Sequence, residues 1–138
     1  MHTLRNFAIG LAFLVGAAAH AAPVVVTNPA QSGETIDSTT VKSIFRGKKL
    51  AWDSKAPVIV AVLKDGSTHE AFLKTAFNIS ASAFANHWRS VTMTGAGVAP
   101  KTFSSEEELL QFVASTPGAI GYVDEANASG AIHKVALE

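Results

Sequence analysis

The chain is 138 residues long, with eleven basic and eleven acidic side chains, a formal net charge of zero and no cysteine. Without cysteine there is no disulfide framework, no thiol chemistry and no lipid attachment through an N-terminal cysteine. Balanced charge, with no basic stripe interleaved with aromatics, argues against a nucleic-acid partner.

The N-terminus reads as an address. Arg5 precedes an apolar run over residues 7–19, and Ala19-His20-Ala21 then puts small residues at the two positions a signal peptidase reads. The run is well short of the roughly 20 residues a membrane-spanning helix needs, so cleavage rather than anchoring is expected. The cut is placed after Ala21, because a cut one residue later would leave Pro23 at the first mature position. The expected product is a periplasmic or secreted protein, residues 22–138, with no membrane span. It forms a single domain with one core, burying on the order of 65% of the surface its unfolded chain exposes.

Val24-Val25-Val26 is a β-branched run of the kind found in sheets covered on both faces, and predicts the first strand. After a loop at Gln31-Ser32-Gly33, Asp37 or Ser38 can cap a short helix with Val41, Ile44 and Phe45 on one face, ended by Gly47. A second apolar run over residues 58–62 stops at the turn Asp65-Gly66. Ser67 or Thr68 then begins a helix with Phe72, Leu73, Ala76 and Phe77 on one side. A further helix, capped by Ser80 or Ser82, repeats Phe84, Trp88 and Val91 at helical spacing, and the stretch from Thr94 to Gly97 breaks it. Ser104 and Glu107 have the spacing of a capping box, predicting a helix over residues 105–115. Pro117-Gly118 turns the chain into the apolar run 119–123, and residues 132–137 can add a last strand. Strands alternating with helices imply an α/β domain with a mostly parallel sheet flanked by helices. In such sheets ligands meet the carboxyl ends of strands, and Asp65-Gly66-Ser67-Thr68 has that context.

Three motifs in order carry a resemblance: Ile44-Phe45-Arg46-Gly47-Lys48 with Trp52, then Asp65-Gly66-Ser67 ahead of Phe72, then Pro117-Gly118-Ala119-Ile120-Gly121-Tyr122-Val123. Over residues 24–135 the chain resembles the phosphate-binding proteins of bacterial ABC transporters, in particular their second lobe. The resemblance implies one lobe of a type 2 periplasmic binding fold, a family in which two α/β lobes close on an oxyanion. The family turn reads Arg-x-Asp-Gly-Ser-Gly-Thr. Here Asp65, Gly66 and Ser67 match, Leu63 fills the arginine position, and Thr68 and His69 fill the last two unless a one-residue gap aligns Thr68 with the threonine.

The ligand site implied on both counts is Gly66, Ser67 and Thr68, with Lys64 as a substitute cation. Gly66 brings the backbone close, two hydroxyls donate, and the helix terminus behind them carries about half a positive charge. The alternative for Ser67 is that it only caps the helix. His69, His87 and His133 lack metal-ligand spacing, and no cofactor is implied. The run Glu106-Glu107-Glu108 suits a solvated first turn, Trp52 and Trp88 suit packing, and Arg46, Lys48 and Lys49 suit a solvated rim. No nucleophile elbow or phosphate-binding loop is present, and no enzyme is expected. The expected function is exported, weak binding of phosphate or a similar oxyanion. The alternative is an interaction module that keeps the fold without the ligand and docks an envelope protein or a second copy.

Overall fold

The computed structural model describes residues 21–130 and 132–135. The expected signal peptide, apart from Ala21, and the predicted strand positions 136 and 137 lie outside them. In chain order the elements are β1 (Pro23–Thr27), α1 (Ser38–Phe45), β2 (Ile59–Leu63), α2 (Ser67–Phe77), α3 (Ala81–Met93), β3 (Lys101–Phe103), α4 (Glu106–Ser115), β4 (Ala119–Asp124) and β5 (His133–Val135). Single 3-10 turns at Pro29–Gln31 and Glu125–Asn127 follow β1 and β4.

Among the described residues the strands make a five-stranded sheet in the order β3-β2-β4-β1-β5. The α/β class is as the sequence predicts, but the sheet is mixed. β2 runs parallel to β3 and β4, whereas β1 is antiparallel to both β4 and β5. Burial explains why the pattern could not tell the two apart. Val25 and Val26 are fully buried, as are Ala119, Ile120, Tyr122 and Val123 of β4. A strand covered on both faces is apolar throughout, whichever way its neighbours run.

The parallel half fixes where helices go. The chain leaves β2 through α2 and α3 to reach its neighbour β3, then leaves β3 through α4 and crosses back over β2 to β4. Two crossovers in opposite directions, each right-handed, place their helices on opposite faces. Consecutive residues of β4 record this alternation. A Cβ on Gly121 would press on Leu109 of α4 at 2.8 Å, while the next side chain, Tyr122, stacks on Phe72 of α2 at 4.0 Å between ring centroids. Phe45 of α1 joins that stack edge-on to Phe72 at 4.9 Å.

The helices begin where their caps say. Asp37 accepts from the Thr40 N–H at 2.7 Å, and Ser80 from Ala83 at 3.1 Å. At α4 the cap is Ser105 rather than Ser104: its hydroxyl accepts from the Glu108 N–H at 3.2 Å. Two adjacent serines followed by three glutamates satisfy the capping pattern in either register, and extended backbone at Ser105 decides it. β3 is the one strand not predicted, because Lys-Thr-Phe is short and mostly exposed on the sheet edge. Both tryptophans pack: Trp52 donates to the Gly118 carbonyl and Trp88 to the Phe45 carbonyl, each at 3.0 Å.

Candidate functional site

β2 and β3 are adjacent parallel strands whose chains depart to opposite faces, so their carboxyl ends form the crevice where α/β sheets hold ligands. The α2 N-terminus opens there from one face and the α4 N-terminus from the other.

Gly66 is the α2 N-cap at φ +100°, a backbone region open to glycine and strained for other residues. It has no side chain to cap the helix, and among the described residues no other side chain does so. The first intrahelical bond runs from Glu70 N–H to the Gly66 carbonyl at 3.1 Å. The N–H groups of Ser67, Thr68 and His69 therefore precede the hydrogen-bonded ladder and carry the positive end of the helix dipole. Gly66 and Ser67 are exposed, with open space around the glycine. Lys64 is exposed too; its backbone N–H donates to the Phe103 carbonyl at 2.9 Å, tying the turn to the end of β3. The four residues thus lie in one turn at the carboxyl end of β2. Thr68 differs from the others. It is 6% exposed, and its hydroxyl points to the Glu106 carboxylate at 3.4 Å.

Glu106 was not singled out from its neighbours in the sequence. Glu107 and Glu108 are exposed on the α4 first turn, as predicted, whereas the Glu106 carboxylate is turned into the crevice. It accepts the Asp124 N–H at the end of β4, the Thr68 hydroxyl, and the Asn127 amide at 3.3 Å. A carboxylate of the chain itself is therefore seated between α2 and β4. Nothing local marks Glu106 out, since its partners lie 18, 38 and 21 residues away.

Behind the turn lies a buried polar pair. His69 is 4% exposed and Tyr122 fully buried. The Tyr122 hydroxyl accepts the Leu63 N–H at 3.0 Å and is hydrogen-bonded to His69 Nδ1. Burial pushes the His69 imidazole below its ordinary range, against the opposing pull of Glu70 and Asp65, and pushes the phenol of Tyr122 well up. Both groups are neutral near pH 7, and the pair anchors the end of β2 to the start of α2. The described residues contain no cluster of three or more metal-ligating side chains.

No protein-family model matches the sequence, and no curated protein matches it. Solved structures do match. An ABC-type phosphate transport receptor from Vibrio cholerae superposes with a TM-score of 0.62 at 10% identity, over 83% of this chain and 45% of the receptor. A Clostridium perfringens protein, assigned as a phosphate ABC transporter substrate-binding protein and solved with bound phosphate, gives 0.62 at 18% identity over 85% of this chain and 46% of its own. PstS from Borrelia burgdorferi gives 0.59 at 14%, over 85% and 47%. The chain spans less than half the length of these proteins. The likeness is one of fold, and the fold is that of part of a phosphate transport receptor.

Proposed function

We propose that the protein is an exported solute-binding-like module that holds phosphate or a similar small oxyanion weakly at the α2 N-terminus, through Gly66, Ser67 and Thr68 with Lys64 alongside. The observation that carries this reading is the uncapped first turn of α2, opening on an exposed glycine at the carboxyl end of β2. The fold around it is shared with phosphate receptors, one of them solved with phosphate bound. Binding is weak because the cation is a lysine, a point charge rather than a bidentate fork. The turn is also exposed, so each contact competes with hydration. Asp65, Glu70 and Glu106 add negative charge next to it.

Ser67→Pro, measured against Ser67→Ala, tests the role of the backbone. Proline suits the first helical position, so α2 survives; both variants lose the hydroxyl, and only proline also removes the N–H donor. Phosphate affinity, followed by calorimetry, is expected to fall several-fold in Ser67→Pro. An unchanged affinity contradicts the assigned site. Export is tested separately: the mature protein recovered from the cell envelope or medium is expected to begin at Ala22.

The seated Glu106 favours a second reading, in which the fold is kept without its ligand and serves protein interaction. The Thr68 hydroxyl already has a carboxylate partner within the chain. On this reading phosphate leaves the α2 turn unperturbed.

A further inference from the structure

Among the described residues an apolar concavity lies away from the α2 turn, at the amino end of β2. There the strand extends past the start of β3, whose first residue, Lys101, pairs with Ala61. The uncovered stretch Pro57 to Val60 forms the floor of a groove of about 580 Å³, with Trp88 of α3 on one side and Leu50 and Val98 at its mouth. That volume falls within the roughly 300–1,000 Å³ typical of small-molecule sites. Its shape depends on two glycines. Gly47, at φ +77°, and Gly97 bring bare backbone beside the Trp88 indole, where a Cβ would lie 3.0 Å and 3.8 Å from the ring.

Two features identify an occupant. Among the described residues three large hydrophobic side chains stand exposed, and two of them, Leu50 at 56% and Val98 at 85%, belong to this mouth. The charged residues of the lining are Lys49 and Lys101, with no acid among them. Lys49 is engaged by Asp53 at 3.1 Å, which leaves Lys101 without an acidic partner among the described residues. An apolar wall with an unpaired cation complements a molecule with a hydrocarbon body and one anionic head.

We propose that this groove binds a small amphipathic carboxylate as a free molecule, its chain against Val58, Trp88 and Val98 and its head group met by Lys101. The site is separate from the α2 turn and does not rest on oxyanion binding there.

The test is a ¹⁵N–¹H titration of the intact protein with octanoate below its micelle threshold, with neutral octanamide as the control. The expected result is a saturable shift of the Trp88 indole N–H and the Val98 and Ala99 amides, while the Trp52 indole stays still. Octanamide is expected to bind about tenfold more weakly, and Lys101→Gln to weaken octanoate by about the same factor without affecting octanamide, as loss of a charge-assisted contact requires. Val98→Glu, at an exposed position where the fold tolerates change, is expected to abolish the shifts and leave thermal unfolding unchanged. Absence of a saturable shift overturns the proposal, and so does equal binding of octanoate and octanamide. Self-association that Val98→Glu disrupts also overturns it, by giving the face to a second copy.

Discussion

Tyr122 and Thr27 are both fully buried and both carry a hydroxyl, yet they predict opposite responses to its removal. The Tyr122 hydroxyl satisfies the Leu63 N–H and His69 Nδ1 together, so Tyr122→Phe strands two buried polar groups. Each costs about 1–3 kcal/mol, and urea unfolding is expected to show a loss of at least that size. The Thr27 hydroxyl has no hydrogen-bond partner among the described residues. Thr27→Val keeps the shape and removes an unsatisfied group, so stability is expected to hold or rise by about 1 kcal/mol. His69 adds a pH dependence. Its folded-state pKa is lowered by burial, so the unfolded chain takes the proton first. The stabilisation from neutral His69 is complete above the unfolded value of about 6.5 and is lost as pH falls below it. Urea midpoints at pH 7.5 and pH 5 are expected to differ less in a His69→Gln variant than in the wild type. None of this was legible in the sequence, where Tyr122 reads as one residue of an apolar strand. Its partners are 59 and 53 residues away, and only the closed sheet brings them together. The glycines were more readable. Gly118, predicted in a turn, sits at φ +89° where a Cβ would collide with the Pro57 carbonyl oxygen. Gly118→Ala is therefore expected to cost about 1–3 kcal/mol from backbone strain alone, before the collision is counted.

Helix and strand existence could be read because each element carries its own period or cap. The Val41, Ile44 and Phe45 stripe is buried as predicted, and so are Phe72 and Leu73 in α2 and Phe84 and Trp88 in α3. Strand direction could not be read. It depends on which strand lies beside which, and a run buried on both faces carries no mark of its neighbours. β3 escaped for a related reason: three residues on a parallel edge are held by β2 rather than by any pattern of their own. The cap of α4 tests the local account. Ser105→Ala is expected to destabilise the protein by about 1 kcal/mol and Ser104→Ala to have little effect, since only Ser105 accepts from the first turn. Both changes are checked by thermal unfolding. The α4 cap also holds Glu106 at the crevice, so the same element serves packing on one side and fills the site on the other.

The described residues form one sheet with α1, α2 and α3 toward one face and α4 on the other, and the two proposed sites fall at the two ends of β2. The carboxyl end carries the uncapped α2 turn with the intruding Glu106; the amino end carries the apolar groove with Lys101. The sequence located the strand-to-helix turn at the carboxyl end, because Asp-Gly-Ser-Thr after an apolar run marks such a turn wherever it occurs. It could not locate the groove, which is assembled from the 47–50 loop, the start of β2, Trp88 and the 95–99 loop. The chain shares its fold with phosphate receptors over less than half their length, and oxyanion binding at the carboxyl end is the proposal to be tested. The most direct measurement is an amide-resolved NMR titration with phosphate, run against sulfate at matched ionic strength. The account predicts saturable shifts of Gly66, Ser67 and Thr68 at millimolar phosphate, while the amides around the Trp88 groove stay still. If the α2 amides do not move, the crevice holds no anion beyond its own Glu106, and the domain has kept the fold for a different use.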